Sequence, residues 1–192
     1  MGFFDALLGR SAPVPPDLDV LFTVPGAADT LQAALGFAPT GAGAVCFKPA
    51  EGGAAAASRR EIGDLLSLDP ALVPTVTDDE FGYTWVTCRQ EVADVPALVT
   101  GLHAVNAALV DAGFGSSLLC TVLGFRGGTE AAPRRLALVY LFKRGSFYPF
   151  APTGDQRRDT SLELQARAAI GTDLPIEPDL SRWFALWDAP VP

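Results

Sequence analysis

The side chains able to do chemistry are few in this 192-residue chain. There is one histidine, His103, one asparagine, Asn106, and three cysteines, Cys46, Cys88 and Cys120. Nucleophilic catalysis would need His103 brought beside a Cys or Ser by the fold. No GxSxG elbow exists; Gly113-Phe114-Gly115-Ser116-Ser117 reads as a turn before a strand. Thr40-Gly41-Ala42-Gly43-Ala44 also precedes a strand and lacks the lysine of a phosphate loop. The cysteines are widely spaced, with no CxxC, and three scattered cysteines with one histidine lack the ligand spacing that reads as a zinc site. Each sits in an apolar, strand-like run, as buried free thiols of a reducing compartment do. Asp78-Asp79-Glu80 has no surrounding loop of oxygen ligands and reads as a solvated hairpin tip. The carboxylates show no catalytic pair. The expectation is a protein with no catalytic residues, no metal and no cofactor.

Binding chemistry is denser than catalytic chemistry. Residues 143–159 join Lys143, Arg144, Arg157 and Arg158 to Phe147, Tyr148 and Phe150. Guanidinium groups among aromatic rings suit an acidic partner segment or an anionic head group. The alternative is an ordered crossover loop whose aromatics finish the core and whose arginines pair with local acids. A second candidate is the start of the chain. Phe3, Phe4, Leu7 and Leu8 make one apolar stripe if residues 1–10 are helical. Ser11–Pro16 (SAPVPP) then breaks the helix and stiffens the chain. Two readings are open: an arm folded back on the core, or a helix that docks on a partner or a membrane surface.

The elements that must position these groups follow from hydrophobic period and punctuation. Residues 1–16 form the arm and linker, and 17–192 a single α+β domain ending in a Pro-rich tail. Asp17 caps a short helix, and a second runs over 26–35 to Gly36. A strand follows at 43–48, then a helix at 58–66 with a Ser58 cap. Strands at 73–77 and 82–89 flank the acidic turn. The longest helix, 94–112, carries Asn106 inside its apolar stripe and His103 on its flank, both read as structural polar residues. Residues 118–125 and 136–143 read as a long hairpin, a helix as 160–169, and 180–187 as a short helical piece. The result is α+β with an antiparallel sheet of about five strands and helices packed on it. The order α-β-(α)-β-β-α-β-β-α resembles the type III secretion chaperone-like fold.

Bulk composition narrows the function classes. At 49% hydrophobic and 19% charged, the chain is not generally disordered. A net charge of −8 disfavours nucleic-acid binding. Residues 1–10 do not make a secretory signal, and no run of 18 predominantly apolar residues predicts a membrane span. The expected location is cytoplasmic, with peripheral contact at the inner face of the membrane through the arm.

Several segments carry a family likeness: MGFFDALLGR at the start, PTGAGAVCFKP at 39–49, and Tyr83-Thr84-Trp85. LHAVNAAL at 102–109, GFGSSLLCTV at 113–122, LVYLFKRGSFYPFAPTG at 138–154, Gln156-Arg157-Arg158-Asp159 and EPDLSRWF at 177–184 continue it. Together they resemble the PspAB family, the PspA-associated protein B of actinobacteria and some archaea, across nearly the whole chain. The resemblance implies an accessory of the phage-shock envelope-stress system, in which PspA assembles on membranes. It implies a protein partner, PspA or its membrane assembly, and brings no catalytic residues. Two rival readings stand beside it: a small-ligand sensor or enzyme with a pocket near His103 and Asn106, and a self-assembling homo-oligomeric module.

Overall fold

The longest helix lies close on the sheet because Gly43 has no side chain. A Cβ there would stand 2.6 Å from Leu102 Cδ1 and 3.0 Å from the Val122 carbonyl oxygen. The computed structural model describes residues 17–48, 74–90, 94–187 and 189–191. The expected helix over 58–66 and the arm bearing Phe3, Phe4, Leu7 and Leu8 lie outside the described residues.

Asp17 accepts from the Asp19 N–H and opens a tight helical turn, Leu18–Thr23. Helix α1 (Val24–Leu35) follows and stops at Gly36, whose φ of 71° is the left-handed cap that glycine adopts without strain. Strand β1 (Ala38–Phe47) is central, and β2 (Thr75–Asp78) and β3 (Thr84–Arg89) form the hairpin around the acidic turn. Asp94 accepts from the Ala97 N–H and caps helix α2 (Val95–Leu109). Strands β4 (Leu118–Thr129) and β5 (Ala132–Leu141) make the long hairpin, and β6 (Ser146–Phe150) turns back on β5. A small hairpin, β7 (Pro152–Gly154) and β8 (Arg157–Arg158), leads to helix α3 (Thr160–Ile170).

The main sheet has six strands in the order β2-β3-β1-β4-β5-β6, all antiparallel. The sixth, β6, falls inside the segment expected to be a patch or crossover. Pro149 hides it from a sequence reading, since proline lacks a ladder donor. It is tolerated because β6 is an edge. Phe147 turns its N–H and C=O outward to Pro175 and Glu177, so Pro149, two residues on, turns its nitrogen outward as well.

Helices cover one face of this sheet. There α1, α2 and α3 pack on Val45, Phe47, Leu123, Phe125, Leu138 and Tyr140. The 23 residues Val95–Ser117 are long and apolar enough to cross a membrane by length and composition, contrary to the expectation from the sequence. The regular helix stops at Leu109, however, Gly113 breaks the run at φ 89°, and the stripe from Val95 to Leu109 is buried in this core.

The chain's own tail covers the opposite face. Trp183 and Val191 are buried against Ala44, Cys46, Trp85, Val122, Val139 and Tyr148. The helix expected over 180–187 reduces to one tight turn, Leu180–Arg182. Its later carbonyls are spent on side chains of the sheet and hairpin instead. Tyr148 Oη donates to Phe184 O at 2.9 Å and Arg158 Nη1 to Trp183 O at 2.8 Å.

Candidate functional site

The segment 143–159 divides when folded. Phe147, Tyr148 and Phe150 are 0%, 1% and 2% exposed, so these three rings are core residues. Arg158 and Arg144 each hold a buried carboxylate. Arg158 Nε lies 2.9 Å from both oxygens of Glu163, its guanidinium lies over the Phe150 ring, and Glu163 also accepts from the Ala151 N–H. Arg144 Nε donates to Glu177 at 3.2 Å, alongside Ser146 Oγ at 3.0 Å and the Asp179 N–H at 3.1 Å. Burial alone would raise the Glu177 pKa; the Asp179 N–H, the Ser146 hydroxyl and the Arg144 guanidinium outweigh it and hold the carboxyl below its ordinary value. Of the segment's basic residues, only Lys143 and Arg157 stand exposed without such a partner.

The polar residues of α2 also have structural work. Asn106 Nδ2 donates to Leu102 O at 2.8 Å and Thr121 Oγ1 at 2.9 Å, tying the helix to β4 in the core. His103 Nε2 lies 3.2 Å from Asp19 Oδ1 and its ring packs on Phe22. All three thiols are free and buried. Cys46 and Cys120 stand opposite each other on β1 and β4. Their hydrogen bond, with burial, pushes the Cys46 thiol well up, and burial alone raises Cys88 to about 11. No group of three or more His, Cys, Asp or Glu able to hold a metal occurs among the described residues.

What the sheet leaves open is a cleft beside the tail, about 670 Å³ in volume. Phe81, Trp85, Tyr148, Phe184, Leu186 and Trp187 line it, together with Cys46 and Cys120. The acidic turn shapes this wall. Asp79 accepts from the Phe81 and Tyr83 N–H groups and from Trp85 Nε1, each at 2.9 Å. That carboxylate therefore organises the hairpin tip and sets Phe81 out into solvent. Phe81 and Phe184, both lining the cleft, are 59% and 58% exposed. Lys143, Arg144 and Arg182 border it. Sequence reasoning missed both phenylalanines. Phe81 follows three acidic residues and reads as part of a polar tip; Phe184 lies in a stretch whose helical pattern promised burial.

Fold and site define a class: an α+β protein whose antiparallel sheet carries helices on one face and the chain's own tail on the other, with an open apolar cleft beside that tail. The chain belongs to the PspAB family, PspA associated protein B, whose family model matches residues 1–191. The family name ties it to PspA, in keeping with an accessory role in the phage-shock system. No curated protein and no solved structure matches the chain.

Proposed function

We propose that the chain is a non-enzymatic accessory protein of the phage-shock system. It works in the cytoplasm, at the inner face of the membrane, and docks an apolar segment of PspA in the cleft between Phe81 and Phe184. One observation carries this reading: two phenylalanines, each more than half exposed, line the same largely apolar cleft in a protein of a PspA-associated family. Paired aromatic anchors around a concave apolar floor are the usual energetic centre of a protein interface. At its border Arg144 and Arg182 are held by Glu177 and Asp179, while Lys143 stands exposed without an ion pair and favours an acidic residue beside the docked segment.

Titration of labelled PspA with the purified chain tests it. The double variant Phe81→Ser, Phe184→Ser should raise Kd at least about tenfold. Its melting temperature should stay near that of the parent, because neither ring is buried. Equal affinity of parent and variant would reject the cleft as the docking site.

A further inference from the structure

A second cleft opens at the other end of the tail-covered face, with a volume of about 870 Å³. Three arginines line it: Arg89 from β3, Arg126 from β4 and Arg135 from β5. Arg126 and Arg135 are direct cross-strand partners, and Arg89 stands opposite Ala42 of β1. Like charges facing each other on adjacent strands are unfavourable in the free protein. Nothing neutralises them by pairing. The arginine ion pairs of the described residues use Arg134, Arg144, Arg158 and Arg182, and none involves Arg89, Arg126 or Arg135. A chain of net charge −8 thus places three unpaired guanidinium groups in one cleft.

The far wall adds different chemistry. Phe150 and Trp187 meet edge to face there, ring centroids 5.1 Å apart. Asp155 and Gln156, at the tip of the small β7–β8 hairpin, border the same cleft. Both hold positive φ, 48° and 51°, and they are the described non-glycine residues that do so. A two-residue turn of this type prefers Asn-Gly. Keeping Asp and Gln there stores strain of the kind found at ligand sites. Their side chains offer an acceptor and an amide over the cleft.

We propose that this cleft binds a nucleoside diphosphate. The three guanidinium groups take the phosphates, whose oxygens match their planar donor forks. Asp155 accepts from the ribose hydroxyls, and Trp187, held edge to face by the buried Phe150 ring, provides the apolar surface for the base. The volume falls within the range of small-molecule sites.

Isothermal titration of the full chain at low salt with ADP and GDP tests the proposal, with anionic phospholipid vesicles as a parallel arm. Saturable binding of ADP or GDP is expected, falling as salt rises. Arg126→Gln with Arg135→Gln should weaken it at least about tenfold, while Arg167→Gln, removing an arginine of α3 outside the cleft, leaves it unchanged. Arg89→Gln alone should weaken it in the same direction, which keeps the test open should the double variant fold poorly. No saturation by either nucleotide at millimolar concentration would overturn the proposal. So would nucleotide binding untouched by these arginine changes, or binding confined to the vesicles.

Discussion

At the scale of single residues, two buried glutamates explain why an acidic protein carries arginines at its seams. Glu163 joins α3 to β6 through the Ala151 N–H, and to the β8 arginine Arg158. Glu177 joins the tail to the turn after β5 through Arg144 and Ser146. Because its folded pKa is held below the ordinary value of 4.5, Glu177 contributes stability that is fully present above that value. That contribution is lost as pH falls through the lower folded pKa. Glu177→Gln keeps the shape, removes the charge and should cost about 1–3 kcal/mol at neutral pH. In thermal melts across pH, the gap between parent and variant should close on the acid side of the carboxylate range. A gap that stays constant down to strongly acid pH would show that the charge itself contributes nothing.

At the scale of elements, the tail acts as a covering layer for the sheet. Trp183 stacks on Tyr148 with centroids 5.9 Å apart, and its Nε1 donates to Glu177 O at 3.0 Å. Trp183→Ala should therefore cost about 3–5 kcal/mol. By calorimetry that is a fall in Tm of roughly 10 °C for a domain of this size. A change within the error of the scan would mean the tail rests on the sheet without stabilising it. Helices α1, α2 and α3, the long hairpin and the strand containing Val45 were legible because their apolar residues keep a clean period and the helix ends carry Asp94, Gly36 and Gly113. Strand β6 was not, since Pro149 contradicts a strand unless the edge is known. The tail was misread because Trp183 and Phe184 fit a helical stripe, and only the Arg158 and Tyr148 donors show where their carbonyls go. Of the two readings open for the basic-aromatic segment, the structure follows the one in which the aromatics finish the core and Arg144 and Arg158 pair with local acids, a choice the sequence alone could not make. Whether an arginine meets a ligand or a buried Glu163 depends on chain pairing that no local pattern encodes.

At the scale of the whole molecule, one face of the sheet is sealed by helices and the other is partitioned by the tail into two clefts of opposite character. Leu186, Trp187 and Ala189 border both clefts. The Phe81 cleft is lined mainly by apolar side chains, and three arginines line the Arg126–Arg135 cleft. This arrangement puts the two proposed sites on one face of the sheet, away from the helix-covered face where Asn106 is buried. The account's central claim is that PspA occupies the Phe81–Phe184 cleft. Its most direct test is site-specific photo-crosslinking in the native cell, with a photoreactive phenylalanine analogue placed in turn at positions 81, 184 and 164. Position 164 serves as the comparison because Leu164 is exposed on α3, on the helix-covered side of the sheet. The account predicts a PspA adduct from positions 81 and 184 and none from 164. PspA captured from 164 alone, or from none of the three while it still co-purifies with the chain, would contradict it.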